Sequence, residues 1–245
     1  MAQHIDGCYM KQNSLWFAGH FVCPSVMLLA FASLSWGTES ERREIGKRLD
    51  AAATVLGEIM TTPDKAIPGQ VLKEAKCIVV VPGIVKVALG IGARRGKGVA
   101  TCRTTSDWSA PAPVSFREGS VGFQIGGKSV DLIMLVMNQD AANRLLSSTL
   151  KIGGDVSGTA GPVGPNVSEN PEWRNSEILS YSKSRGAFAG IDLKGAALKQ
   201  DKSATIGLYG RYIPFGSILS GKVQPSADGA TFLAAIRKYT GKALS

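Results

Sequence analysis

The spacing of apolar residues predicts one long amphipathic helix near the start of the folded part of the chain. From Ile45 to Met60, apolar residues recur every three or four positions, and charged residues fall mostly between them. Thr38 or Ser40 can cap the start of this helix, and Pro63 ends it. The pattern therefore indicates a helix with one apolar face and one charged face.

Beyond this helix, short apolar runs and two-residue alternation predict β-strands. A buried strand over 77–81 should stop at Pro82–Gly83. The residues 92–98, rich in glycine, arginine and lysine, should form a turn between two strands. The strands predicted after residue 83 are 85–91, 99–103, 114–117, 121–125, 130–137, 177–182 and 187–193.

Short helices and one long loop complete the pattern. Helices are predicted at 69–75 and at 141–148, and Asp140 should cap the second. Residues 152–170 are typical of a glycine-rich loop, and Asp228 should cap a last helix. The apolar residues that this last helix turns inward are Phe232, Leu233 and Ile236.

No repeat, linker or low-complexity segment divides residues 38–245. Strands joined by short turns favour antiparallel pairing, and the helices are too few for a parallel βαβ framework. We therefore predict a single α+β domain with an antiparallel β core, sandwich-like or barrel-like, flanked by short helices.

The first 37 residues have the features of an export signal. No charged residue lies between Lys11 and Glu39, and Ala30–Phe31–Ala32 matches the small-x-small pattern of a signal peptidase site. We predict a leader over 1–37, cleaved near Ala32, with a membrane anchor or a core helix as alternatives and with the start at Met1 or Met10 left open. The folded domain would then be periplasmic, secreted or attached to the cell envelope.

Charge narrows the choice of partner. The formal net charge is +9, and the whole excess belongs to residues 38–245 because Asp6 and Lys11 cancel each other. A basic domain suits an anionic membrane, an acidic polysaccharide or nucleic acid, or it keeps the protein soluble. Export makes nucleic acid the least favoured of these, and we expect no nucleic-acid partner.

The residues that carry most catalytic and metal chemistry are scarce. Both histidines, His4 and His20, lie in the predicted leader, so the domain lacks the commonest base and metal ligand. Cys77 and Cys102 form no CxxC pair, and a disulfide and two buried thiols are equally compatible with their positions. We expect no catalytic residue, no metal, no cofactor and no enzymatic activity.

Two glycine-rich motifs suggest nucleotide binding but lack its context. Residues 122–129 match the phosphate-loop pattern, yet strand-forming residues follow where a helix is required. Residues 90–96 resemble a dinucleotide fingerprint with incorrect spacing and no helix. We therefore expect no nucleotide ligand.

Three motifs together resemble one family. They are Trp108–Ser109–Ala110–Pro111, Gly161–Pro162–Val163–Gly164 and the run 180–190 that begins Ser180–Tyr181–Ser182. In this order they resemble the SYLF-domain family, whose eukaryotic members bind phosphoinositides and, in some cases, actin filaments. The resemblance implies non-enzymatic binding of anionic membrane phospholipids, with a protein partner or filament as the alternative. An exported SYLF domain resembles the bacterial branch of the family.

The resemblance also implies where lipid would bind. Basic residues on the N-terminal helix match the positions linked to membrane contact, while Ile45, Leu49 and Leu56 either insert into the bilayer or pack in the core. A second basic patch is expected on the 92–98 turn, joined by two residues of the 180–190 run. The predicted lipid-binding residues are Arg42, Arg43, Lys47 and Arg48 on the helix, Arg94, Arg95 and Lys97 on the turn, and Lys183 and Arg185.

Overall fold

The computed structural model describes residues 24–62, 65–89, 91–121, 129–147, 149–164, 171–184, 187–190 and 193–241. Its contacts divide the chain into two units, Met1–Trp36 and Gly37–Ser245, and the second is described below. No helix among the described residues is long and apolar enough to cross a membrane.

Helices and strands do not alternate regularly along the described chain. Two helices come first, most of the strands follow, and three helices come last. The helices are α1 (Pro24–Thr61), α2 (Gly69–Glu74), α3 (Gln139–Leu146), α4 (Lys202–Tyr209), α5 (Phe215–Leu219) and α6 (Ala230–Thr240). The strands are β1 (Cys77–Leu89), β2 (Ile91–Cys102), β3 (Ala112–Val121), β4 (Val130–Val136), β5 (Thr149–Lys151), β6 (Gly158–Ala160), β7 (Ile178–Ser184), β8 (Ala187–Gly190) and β9 (Ala196–Gln200).

All the described strands belong to one curled sheet in the order β5-β9-β3-β2-β1-β4-β7-β6, with β8 paired to β7. Every pairing is antiparallel except that of β6 with β7. Residues from α1, α2, α4 and α6 pack on one face of the sheet, and residues from α3 and α5 pack on the other. The predicted class, an α+β domain with an antiparallel, barrel-like core and an N-terminal helix, is confirmed.

Helix α1 packs its apolar stripe against the sheet. Ile45, Leu49 and Leu56 are completely buried, so they belong to the core and are not available to insert into a bilayer. The helix starts at Pro24, and the prediction that Thr38 or Ser40 caps it was therefore wrong. Proline suits the first turn of a helix because its missing N–H has no partner there.

The segment after β1 differs from the prediction. Pro82–Gly83 does not end the strand, because the register with both neighbouring strands shifts there as a β-bulge and pairing then resumes. Residues 92–98 are part of β2, not a turn. Their glycines allow close packing instead: a Cβ added at Gly98 would lie 2.3 Å from the carbonyl oxygen of Val80.

Two helix caps also differ. Asn138, not Asp140, caps α3, and its side chain accepts a hydrogen bond of 2.8 Å from the Ala141 amide. Helix α6 follows a short 3-10 turn and makes no side-chain cap, so Asp228 does not cap it. The inward residues of α6 were predicted correctly, since Phe232, Leu233 and Ile236 are all buried.

Several strand boundaries were too short or were missed. Strand β3 runs through the predicted break after Arg117, and the rest of the predicted strand 121–125 lies outside the described residues. The predicted loop 152–170 contains β6, and β8 ends at Gly190. Elements β5, β9, α4 and α5 were not predicted. Most of the phosphate-loop match at 122–129 lies outside the described residues, but the chain continues as strand β4, as expected.

Two of the motifs that carried the family resemblance meet in the core. The ring of Tyr181 on β7 lies against Gly161, where an added Cβ would be 2.1 Å from the ring carbon Cζ. Burial raises the pKa of Tyr181, and its hydroxyl has no hydrogen-bond partner among the described residues. Only glycine leaves room at position 161 for this tyrosine.

Cys77 and Cys102 form a disulfide between the start of β1 and the end of β2, where they are direct partners in the register. This decides between the two alternatives that the sequence left open. The bridge fixes the two strands at the end opposite the bulge.

Replacing both cysteines, as Cys77→Ala/Cys102→Ala, should lower the free energy of unfolding by about 2 kcal/mol, because the bridge restricts the unfolded chain. Urea denaturation with and without dithiothreitol measures the effect. The double variant should not respond to dithiothreitol, and an unchanged midpoint of the reduced wild type would contradict the prediction.

Candidate anion-binding groove

A shallow groove of about 500 Å³ lies between α1 and the strands β1–β3. Helix α1 contributes its polar edge, β1 contributes the bulge, and β2 and β3 form the floor. The charged residues that line it are Glu44, Lys47, Arg48, Arg95, Lys97 and Arg117. Five of these six side chains are cationic, so the groove concentrates positive charge.

Strand alternation decides which predicted basic residues reach the groove. Arg95 and Lys97 are two residues apart on β2, so both project from the face that α1 covers, and both are exposed. Arg94 projects from the opposite face, where its Nη1 donates a hydrogen bond of 3.2 Å to Glu118 Oε2. The structure therefore separates Arg94 from the patch predicted for 92–98.

Two arginines face each other across the groove floor. Arg95 on β2 and Arg117 on β3 are direct partners in the antiparallel register. Both are exposed, and neither makes an ion pair or a side-chain hydrogen bond with a described residue. Like charges directly opposite each other destabilise a sheet. An anion held between them would relieve this repulsion, which makes the pair the strongest sign of a binding role.

A buried carboxylate fixes the side of the groove next to α1. Asp201 Oδ2 lies 3.1 Å from Arg48 Nη1 and 3.8 Å from Lys97 Nζ. The Arg48 side chain is only 7% exposed and that of Asp201 8%. Burial acts to raise the pKa of Asp201, but hydrogen bonds from Ala204 and Ser203 and the charges of Arg48 and Lys97 outweigh it, so the pKa is lowered. Asp201 therefore stays ionised and holds Arg48 in place.

The other predicted lipid-binding residues lie elsewhere. Arg42 is exposed and pairs with Asp228 at 3.0 Å, and Arg43 is exposed outside the groove lining. Lys183 on β7 pairs with Glu58 of α1. Strands β1 and β4 separate β7 from β2, so Lys183 does not join the patch on β2. Arg185 lies outside the described residues.

An apolar residue stands beside the cations. Val85, which follows the bulge on β1, is 48% exposed and lines the same groove together with Pro82. Few other large apolar side chains among the described residues are so exposed. An exposed apolar side chain next to basic residues suits a membrane interface, where the aliphatic group enters the headgroup region and the cations meet phosphates.

Arg117 and Asp201 are the residues of this site that were missed in the sequence. Arg117 was placed in a predicted strand, but without the pairing of β2 with β3 nothing indicated that it faces Arg95. Asp201 follows the unpredicted strand β9 and precedes the unpredicted helix α4. The described residues contain no group of three or more histidine, cysteine, aspartate or glutamate side chains arranged to bind a metal.

The groove sets five cationic side chains and one carboxylate against the curled antiparallel sheet, a lining that suits the binding of an anion. Residues 117–239 match the family model described as Ysc84, Las17-binding protein actin regulator. The chain belongs to this Ysc84, or SYLF-domain, family, and the resemblance seen in its motifs is confirmed.

Named relatives support the same assignment. The chain is 33% identical over 184 residues to rat "SH3 domain-containing YSC84-like protein 1", covering 74% of this chain and 54% of that protein. It is 33% identical over 173 residues to Saccharomyces cerevisiae "Protein YSC84", covering 67% of this chain and 36% of that protein. It is 31% identical over 167 residues to "LAS seventeen-binding protein 3" of the same yeast, covering 66% and 36%. The chain thus spans about half or less of these relatives.

Proposed function

We propose that this protein is a non-enzymatic module that attaches to anionic phospholipid membranes through the groove lined by Lys47, Arg48, Arg95, Lys97 and Arg117. The observation that carries the proposal is the directly opposed pair Arg95 and Arg117, for which the described part of the chain supplies no ion-pair partner. A phosphate between them would accept hydrogen bonds from both guanidinium groups and neutralise their repulsion.

Other features support a membrane surface as the source of that phosphate. The net charge of +9 draws the protein toward an anionic surface, and Val85 supplies an apolar contact beside the cations. Since Ile45, Leu49 and Leu56 are buried, the folded domain would dock with its polar surface and would not insert the apolar stripe of α1.

We further propose that the protein is exported. The apolar, almost uncharged residues 1–37 support this, and so does the disulfide, because such bonds persist mainly in oxidising compartments. The expected location is the periplasm, the cell exterior or the surface of the envelope. Sequencing the amino terminus of the protein purified from its native cells tests the proposal, and a terminus at Met1 or Met10 would contradict it.

Neutralising the two opposed arginines, as Arg95→Gln/Arg117→Gln, should weaken binding to vesicles of phosphatidylglycerol and phosphatidylcholine about 30-fold, at ~1 kcal/mol per cation. Flotation at low and at high salt measures the binding. The matched control Lys65→Gln/Lys222→Gln removes the same charge from two exposed lysines outside the groove lining, and it should bind almost as wild type. Equal loss in both variants would contradict a specific groove.

A protein partner is the second candidate function, and the family assignment favours it. The matching family is described as Las17-binding protein actin regulator, and a yeast relative is named a LAS seventeen-binding protein. The same groove could bind an acidic segment of a partner protein or filament. Co-sedimentation with actin filaments in the absence of lipid tests this, and loss of co-sedimentation in Arg95→Gln/Arg117→Gln would place the contact in the groove.

A further inference from the structure

A second cleft lies at the other end of β1 and β2 from the groove. It has a volume of about 1060 Å³ and is lined by the disulfide Cys77–Cys102, by residues 103–106 and by ends of α2, α3, α5 and α6. From Lys97 to Arg103 the chain along β2 covers about 20 Å, at roughly 3.3 Å per residue. The cleft is therefore a site distinct from the groove.

The cleft is cationic. Lys73, Lys76 and Arg103 line it, and no carboxylate is found among its described lining residues. Thr105 and Ser106, which carry hydroxyl groups, also line the cleft. Three cations and several hydroxyl donors without an acid form a lining that suits an oxyanion.

Arg103 differs from the other partly buried cations. Among the described side chains, four other basic residues are at least partly buried, and each pairs with a carboxylate. These pairs are Arg48–Asp201, Arg94–Glu118, Lys183–Glu58 and Arg237–Asp107. Arg103 has no carboxylate partner within the part of the chain that the structure describes. Burial lowers the pKa of Arg103, which reflects the cost of keeping this charge out of water.

The contacts of Arg103 orient it toward the cleft. Its Nε donates to the carbonyl oxygen of Ala75 at 3.0 Å, and its Nη2 donates to that of Leu72 at 3.4 Å, both at the end of α2. The indole of Trp108 lies 4.5 Å from the guanidinium carbon. These contacts hold one edge and one face of the guanidinium, and they leave Nη1 without a described partner.

We infer that this cleft binds a phosphate monoester, with Arg103 as the fixed donor and Lys73 and Lys76 as mobile counter-charges. A doubly charged, tetrahedral phosphate matches several cations and hydroxyl donors better than a flat, singly charged carboxylate. The shared chemistry of the ligand is the phosphate ester, which occurs on soluble metabolites and on lipid headgroups.

The test is a titration of the full chain with glycerol 3-phosphate and with inorganic phosphate, followed by backbone amide shifts in NMR spectra. We expect saturable shifts at Thr104, Thr105 and Ser106. Lys73→Gln/Lys76→Gln should weaken glycerol 3-phosphate binding about tenfold. The control Lys65→Gln/Lys222→Gln removes the same charge from two exposed lysines outside the lining of the cleft and of the groove, and it should leave glycerol 3-phosphate binding unchanged. Arg103→Lys provides a second variant, which keeps the charge but loses the fixed fork geometry, and it should also weaken binding.

Binding that is unaffected by the Lys73→Gln/Lys76→Gln pair, or that shifts groove amides instead of cleft amides, would overturn the inference. Vesicles containing phosphatidic acid identify the source of the phosphate. Weaker vesicle binding by the lysine pair variant would indicate a lipid headgroup, and unchanged vesicle binding with weaker glycerol 3-phosphate binding would indicate a soluble ester. The groove is tested by the binding of Arg95→Gln/Arg117→Gln to phosphatidylglycerol vesicles, and the cleft by the binding of glycerol 3-phosphate. The two proposals can therefore fail independently of each other.

Discussion

Replacing Asp201 with asparagine is expected to lower the free energy of unfolding by about 4 kcal/mol, because it leaves the charge of Arg48 buried without a counter-ion. Asparagine keeps an oxygen that can accept from the Ala204 amide, as Asp201 does at 3.2 Å, so the start of α4 stays capped. The substitution therefore tests the ion pair and not the cap. Urea denaturation followed by circular dichroism measures the change.

Asp228→Asn is the matched control for this experiment. It removes a second carboxylate that also pairs with an arginine of α1, but Arg42 is exposed, and exposed pairs contribute little. Its stability should stay close to wild type. The double variant Arg48→Met/Asp201→Asn should recover part of the loss, since it removes the unpaired charge as well. Equal effects of Asp201→Asn and Asp228→Asn would contradict the importance of burial.

The same pair predicts a dependence on pH. The pKa of Asp201 lies below its ordinary value of 3.8 in the folded protein. The stability that the ionised carboxylate contributes is therefore fully present above the ordinary value, and it is lost as the pH falls through the lower, folded value. Below pH 4, wild type should lose stability more steeply than Asp201→Asn, which has no carboxylate to protonate there.

Gly98→Ala is expected to cost about 3 kcal/mol of stability through steric overlap with β1. A Cβ at position 98 would lie 2.3 Å from the Val80 carbonyl oxygen and 2.9 Å from the Val81 Cα. Both contacts are with backbone atoms, which cannot rotate away as a side chain could. The two strands must separate near the bulge, and a lower midpoint in thermal or urea unfolding reports this.

Gly119→Ala on β3 provides the control for Gly98→Ala. A Cβ there meets nothing within 4 Å, so alanine should be neutral or stabilise the strand by about 0.5 kcal/mol through reduced freedom of the unfolded chain. If both alanine variants unfold alike, close packing of β1 on β2 is not the reason for glycine at position 98.

The parts of the fold that local pattern determines were predictable. The apolar stripe of α1 and the inward face of α6 follow from helical periodicity. The strand over 130–136 follows from a continuous apolar run, which is buried on both faces of the sheet. Glycine misled the prediction at 92–98, because glycine marks turns and also marks positions where two backbones approach closely. Only the register of β1 against β2 shows that the glycines at 92–98 mark a close approach of two strands and not a turn.

The groove was only half predictable, for a similar reason. Lys47, Arg48, Arg95 and Lys97 were named from the sequence, but as two separate patches. They line one groove because α1 packs on the face of β2 from which Arg95 and Lys97 project. Arg117 is brought to this groove by the pairing of β3 with β2, and Asp201 by the pairing of β9 with β3. A charge pattern along the chain also does not distinguish Arg94 from Arg95, because their difference lies in the face of the sheet on which each one projects.

The partners of α1 come from the far end of the chain. Arg48 pairs with Asp201, 153 residues later, and Arg42 pairs with Asp228, 186 residues later. The ribosome therefore releases α1 long before the residues that complete its surroundings exist. Contacts of such long sequence separation slow folding, and Arg48 has its counter-ion only after residue 201 has been made.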